Sequence, residues 1–180
     1  MDRDGVLNRD RAQFVRCVAD LEVLPGAVDA VARLNRAGYI VIVATNQSGI
    51  GRGLMAEEAL EEIHGELRRA MREGGATLSG IYHCPHVPGS SCDCRKPAPG
   101  LLLRAARAHD IDLERSFLVG DQPHDIAAGA AVGCRTVLVL TGKTPANHGG
   151  LLPAAPDFVA RDVGAAADWI LEAASVDANA

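Results

Sequence analysis

The unbroken apolar run Tyr-Ile-Val-Ile-Val-Ala at 39–44 constrains this chain more than any other stretch. It is rich in β-branched residues and stops at Thr45 and Asn46, which fits a strand buried on both faces. Such a strand needs helices above and below it, so it predicts an α/β fold with a parallel sheet. The flanking patterns agree. Residues 27–37 space Val28, Val31 and Leu34 at helical intervals before Gly38, and 57–72 carry Leu60, Ile63, Leu67 and Met71 on one helical stripe.

The alternation continues along the chain. Further strands are expected at 78–82, 116–119 and 136–140, with an edge strand at 157–160. Helices are expected at 101–109, 125–132 and 163–174. A length of 180 residues suits one domain with a sizeable core and leaves no segment for a large cap. The pattern predicts a Rossmann-like three-layer α/β/α sandwich with a mostly parallel central sheet, one domain over 1–174 and a frayed tail at 175–180.

Charge and composition narrow the function. A formal net charge of -5 argues against nucleic acid as a partner. No apolar run reaches membrane-spanning length, and no hydrophobic leader follows Met1, so a cytoplasmic, monomeric protein without a membrane partner is expected. Lysine occurs only as Lys96 and Lys143 in a chain that otherwise uses arginine. A lysine kept against that habit points to a need for its compact charge.

Four short segments fall behind predicted strands, where open α/β sheets place their ligand sites. Asp2 and Asp4 are separated by one residue, so both carboxylates project to one side of an extended segment, as a nucleophile and a proton carrier require. Thr45 to Gly49 offers a hydroxyl and free backbone N–H groups for phosphoryl oxygens. Arg95-Lys96-Pro97 supplies compact positive charge. Gly120-Asp121, with Asp125 four residues on, sets two carboxylates toward one cation, and with Asp2 makes the oxygen-rich set magnesium prefers. Taken singly, these read as a charge pair, a turn, a solvated pair and a helix cap; their order is what carries weight.

The set Asp-x-Asp-Gly, strand-Thr-Asn, Lys-Pro and Gly-Asp-x-x-x-Asp resembles the four motifs of haloacid dehalogenase-type phosphatases, over residues 2–145. The resemblance implies that Asp2 is the nucleophile and Asp4 the general acid/base. It implies that Thr45 and Lys96 steady the phosphoryl group, and that Asp2, the carbonyl of Asp4 and Asp121 bind magnesium with support from Asp125. The expected activity is hydrolysis of a small phosphorylated metabolite through an aspartyl phosphate.

Cys84-Pro85-His86 and Cys92-Asp93-Cys94 place four zinc-type ligands in one loop, the number a closed tetrahedral site uses. Zinc is therefore expected on Cys84, His86, Cys92 and Cys94. His83 alternates to the opposite side of an extended segment, and Cys17 and Cys134 are expected as buried free thiols. Because Cys94 directly precedes Arg95 and Lys96, a fixed loop would fix both cations.

The loop string and Thr45-Asn46-Gln47-Ser48-Gly49-Ile50-Gly51-Arg52-Gly53 are similar to a narrower branch, the heptose bisphosphate and histidinol phosphate phosphatases, and closer to the first. That likeness makes a sugar bisphosphate the expected substrate, with Asn46, Gln47, Ser48, Arg52 and Arg95 as contacts. Gln122 stands where the heptose enzymes usually carry lysine, and 11–14 departs from their His-Gly-Tyr type loop.

Other classes fit less well. A phosphorylated receiver domain has no second carboxylate two residues beyond its nucleophile and no cysteine-rich loop. A phosphoryl transferase of this fold needs a closing cap to exclude water. A catalytically weak interaction protein stays in play because only Met1 precedes Asp2, whereas a central strand needs about five residues. A natural chain that begins upstream with a short apolar segment is therefore expected, with poor stability or weak activity without it.

Overall fold

The computed structural model describes residues 1–144 and 154–177. Strand β1 (Ile42–Asn46) pairs in parallel with β2 (Gly80–Cys84), with Ile42 opposite Gly80 and Asn46 opposite Cys84. Strands β3 (Phe117–Gly120), β4 (Arg135–Val139) and β5 (Phe158–Ala160) form a second parallel group with β4 in the middle. Met1 and Asp2 lie in the gap between the two groups. The Met1 amine donates to the Ile42 carbonyl at 2.7 Å and the Ala44 N–H donates to the Met1 carbonyl at 2.9 Å. On the far side the Asp2 N–H donates to the Val119 carbonyl at 2.8 Å. Behind this bridge an apolar cavity of about 300 Å³ runs between Ile40, Ile42, Leu118 and Val119.

Helices cover both faces, so the expected three layers are present. Helices α1 (Ala27–Arg36), α3 (Glu57–Glu73) and α6 (Val163–Asp177) pack on one face, where Val31, Leu67 and Ala166 meet Val43, Val119, Val137 and Val139. Helices α4 (Gly100–His109) and α5 (Pro123–Ala130) cover the other, joining Leu101 and Ala128 to Ala44 and Leu118. Val43 and Ala44 therefore serve opposite cores, as alternate residues of a strand do. The full burial of Val43, Leu67, Leu101 and Val137 contributes about 1.5–3 kcal/mol for each large side chain.

The structure corrects several expectations. The first strand starts at Ile42 rather than at 39, because its register is set by pairing with Gly80 to Cys84 and Ile40 is left half exposed. The second is shifted likewise, from 78–82 to Gly80–Cys84. A short helix α2 (Ser48–Gly51) and a 3-10 turn (Val18–Asp20) were not apparent in the pattern. Cys17 is exposed rather than buried, since it heads that 3-10 turn and donates from Sγ to Asp20 Oδ2 at 3.5 Å; Cys134 is buried. The expected frayed tail is helical through Asp177, sustained by the helix-favouring Ala173 and Ala174, while 178–180 lie outside the described residues.

Candidate active site

The C-terminal ends of β1 and β3 and the Met1–Asp2 bridge deliver their next residues to one place. Asp2, Thr45, Lys96, Asp121 and Asp125 are all buried there. Lys96 holds the group together. Its ammonium lies 3.1 Å from Asp2 Oδ1 and 2.7 Å from Asp125 Oδ1, and donates to the Ala44 carbonyl at 2.6 Å. Burial works against that charge, but Asp125 and then Asp2 outweigh it and hold the Lys96 pKa above the usual lysine range. Asp125 feels the reciprocal balance: burial pushes its pKa up, Lys96 pulls it down, and the net direction is down. Asp125 is also the helix cap it could have been, accepting the Gln122 N–H at 3.0 Å on Oδ2.

Asp121 sits opposite with no such cation. Its Oδ2 accepts the Lys143 N–H at 2.9 Å, while its buried Oδ1 has no hydrogen-bond partner among the described residues. Burial, with Asp2 and Asp125 adding repulsion, pushes the Asp121 pKa up to about 8. An unpartnered carboxyl oxygen beside Asp2, whose proton a cation would displace, suits a hard divalent ion. Gly142 and Gly5 are what let the backbone come this close. A Cβ on Gly142 would lie 1.9 Å from Asp121 Oδ2, and one on Gly5 would lie 2.7 Å from the same carboxylate.

Gly5 also adopts φ 81°, a conformation other residues avoid, and turns the chain back on itself. The N–H groups of Leu7 and Asn8 return to the Arg3 carbonyl at 2.8 and 3.1 Å. That turn brings the Asn8 amide onto Asp4 Oδ1 at 2.8 Å. Asp4 is further gripped by Arg3, through Nε at 3.2 Å and Nη2 at 2.9 Å, and by the Gln47 amide at 2.8 Å. Gln47 reaches Thr45 Oγ1 as well, at 2.9 Å, so Asp4 and Thr45 share one positioning side chain.

The expected substrate contacts are placed unevenly. Asn46 spends its amide on the Lys96 backbone, donating to its carbonyl and accepting its N–H, both at 3.1 Å. Ser48 is buried at the start of α2, Arg52 is exposed, and Arg95 donates to the His86 carbonyl at 3.1 Å. Four residues of the site were not singled out in the sequence: Arg3, Asn8, Asp10 and His124. His124 Nε2 lies 3.5 Å from Asp125 Oδ1, and its ring joins Asp2 and Asp125 in one group, whose centre Lys96 already serves as the cation. Lys143 pairs with Asp10 at 2.8 Å, at the rim beside Asp121. The lysine habit of the chain was its only advance signal.

The cysteine loop closes beside this site. Cys84 Sγ lies 3.4 Å from His86 Nδ1, 3.9 Å from Cys92 Sγ and 3.0 Å from Cys94 Sγ, with His86 Nδ1 to Cys94 Sγ at 3.3 Å. A tetrahedron with zinc–sulfur bonds of about 2.3 Å has edges of about 3.8 Å, so the four ligand atoms are gathered as such an ion needs. The thiols remain free rather than paired. His83 is turned away onto Glu57 at 2.5 Å, as its alternation in the sequence implies.

Comparison with known proteins agrees with this geometry. The HAD-hydrolase-like family matches residues 93–166. A relative from Pseudomonas putida is 46% identical over 143 residues, covering 79% of this chain and 82% of the relative. With this fold and clustered carboxylates, the chain belongs to the haloacid dehalogenase-like hydrolases. The Pseudomonas relative is a D-glycero-beta-D-manno-heptose-1,7-bisphosphate 7-phosphatase. A Bordetella bronchiseptica protein of the same name is 42% identical and covers 97% of both chains. The crystal structure of a D,D-heptose 1,7-bisphosphate phosphatase from B. bronchiseptica, complexed with magnesium and phosphate, superposes with a TM-score of 0.88 at 41% identity, covering 96% of each chain.

Proposed function

We propose that this chain is a phosphomonoester hydrolase that removes the 7-phosphate of D-glycero-D-manno-heptose 1,7-bisphosphate through an aspartyl phosphate on Asp2. The observation that carries the reading is the charge arrangement: a buried carboxylate, Asp2, held by Lys96 at 3.1 Å and repelled by Asp121, whose Oδ1 has no partner among the described residues. Asp2, Asp121 and the Asp4 carbonyl would hold a magnesium ion, which supplies positive charge against the phosphoryl oxygens.

The protein groups act in sequence. Asp2 attacks phosphorus in line, and Lys96 offsets the negative charge gathered there. Asp4 gives a proton to the departing sugar oxygen, then takes one from the water that cleaves the aspartyl phosphate. Thr45 and the N–H groups at the start of α2 face the phosphoryl oxygens. Zinc on Cys84, His86, Cys92 and Cys94 has a structural part, because Cys94 leads directly into Arg95 and Lys96. Arg95, with Arg52 and Ser48, contacts the sugar bisphosphate. Gln47 serves by orienting Asp4, and Asn46 by fixing the Lys96 backbone, a change from their expected part as direct contacts.

The chain acts as a single domain, as a monomer, in the cytoplasm, where a reducing milieu keeps the zinc thiols available. None of the described helices is long and apolar enough to cross a membrane. Phosphate release from heptose 1,7-bisphosphate, histidinol phosphate and a panel of sugar phosphates, compared by kcat/KM, tests the assignment. Preference for the heptose substrate is expected. Preference for histidinol phosphate overturns the substrate, and release insensitive to EDTA overturns the metal.

A further inference from the structure

Helix α3 carries one buried ionisable side chain, and the phosphatase reading gives it no task. His64 lies between Ile63 and Leu67 on the inner stripe and is 1% exposed. Its Nε2 is 3.3 Å from Arg3 Nη1, and its Nδ1 is 3.9 Å from Glu61 Oε1. The ring centroid lies 5.9 Å from that of His83. Glu61, His64 and His83 are compact enough for a metal, with one ligand atom of each within 4.8 Å of the others.

The guanidinium decides against that use. An arginine N–H only donates, so the nitrogen facing Nη1 is the one with the free lone pair. The proton of the neutral ring then sits on Nδ1, the atom a metal shared with Glu61 would need. Burial, followed by repulsion from Arg3, His83 and Arg68, holds the His64 pKa down to about 3 and keeps the ring neutral.

Arg3 explains why such an acceptor is present. Its side chain is completely buried, and its five N–H groups need partners. Nε and Nη2 take Asp4, and Nη2 also reaches Gln47 Oε1 at 3.2 Å. Nη1, the remaining arm, ends on His64. We propose that His64 is a positioning residue: by accepting from Arg3 it holds the guanidinium fork square against Asp4, the proton carrier. This rests on the phosphatase reading, in which Asp4 exchanges a proton with the leaving oxygen.

Two measurements test it on the zinc-loaded enzyme. The first is the nitrogen-15 spectrum of the imidazoles. His64 is expected as a neutral ring protonated at Nδ1 from pH 5 to 8, unmoved by added zinc chloride. A ring protonated at Nε2, or one that shifts on binding zinc, overturns the proposal. The second is kinetic. His64→Leu should lower kcat by roughly ten- to hundred-fold, the scale of a misaimed catalytic group, with KM held within about two-fold. His64→Gln, whose amide oxygen can accept from Arg3, should recover most of the loss. Wild-type kcat in the leucine variant, or equal losses in both, overturns the proposal. Should the leucine variant not fold, the tautomer decides. A wild-type enzyme that hydrolyses no phosphomonoester sinks the phosphatase reading itself, whereas an active wild type with an equally active leucine variant sinks this inference alone.

Discussion

Asp121 opposes stability to metal binding in a way that titration can measure. It is fully buried, one oxygen has no partner among the described residues, and its pKa is displaced from 3.8 to about 8 by burial, Asp2 and Asp125. In the metal-free chain the folded state keeps a proton there that the unfolded chain releases near pH 4. Stability from this group is therefore complete below about pH 4, declines as pH rises to about 8, and is level beyond. At about 1.4 kcal/mol per pH unit the whole displacement, from 3.8 to about 8, is on the order of 6 kcal/mol. That is a large part of the roughly 5–15 kcal/mol that holds an ordinary domain together. His64, held at about 3, contributes the opposite slope below its ordinary 6.5, so the decline stands clear only above that pH. Comparison with Asp121→Asn cancels the histidines. The metal-free asparagine variant should exceed the wild type by only about 1 kcal/mol near pH 4.5 and by roughly 3–5 kcal/mol at pH 8. Magnesium should reverse the order at pH 8, because it binds the ionised wild type and not the amide. Urea unfolding followed by Trp169 fluorescence provides the assay. A difference that fails to grow with pH, or a variant less stable than the metal-free wild type, refutes the reasoning.

Four further outcomes are expected. Asp2→Asn should remove nearly all turnover while keeping zinc content and a cooperative melt; appreciable phosphate release in that variant would contradict the nucleophile. Freshly reduced protein should carry about one zinc per chain by elemental analysis. Cys92→Ser should lower both zinc content and kcat by loosening the approach to Lys96, and a zinc-free but fully active enzyme would separate the loop from the site. Gly142→Ala places a methyl 1.9 Å from Asp121 Oδ2 and 2.4 Å from its Cγ, so the loop or the carboxylate has to move. The magnesium concentration for half-maximal activity should rise at least about ten-fold; an unchanged titration would mean that Asp121 is not a metal ligand.

Much of the site was legible because its chemistry is written in short strings that follow strands. Asp2, Thr45, Lys96 and Asp121 converge as the order of strand and motif suggests, and Cys84 to Cys94 form one cluster. What escaped depends on contacts across the chain. Nothing in the residue between two aspartates says that Arg3 is completely buried, since its acceptors Gln47 and His64 come from other elements. His64 is hidden by its position between Ile63 and Leu67 in an ordinary apolar stripe. Asn46 was readable as polar at a strand end, but its attachment to the Lys96 backbone requires two segments fifty residues apart to meet. Strand limits moved for the same reason: an apolar run states what is buried, while pairing with a neighbour states where the ladder begins.

The scarcity of lysine has a practical consequence. Lys96 is completely shielded and Lys143 is 57% exposed, at the rim beside Asp10 and Asp121. An acylating reagent added to the folded enzyme has one accessible lysine side chain, and that chain guards the mouth of the catalytic cleft. A single fluorophore attached there would report substrate entry and metal loading from one defined position, with no engineered cysteine to compete with the clustered thiols of Cys84, Cys92 and Cys94.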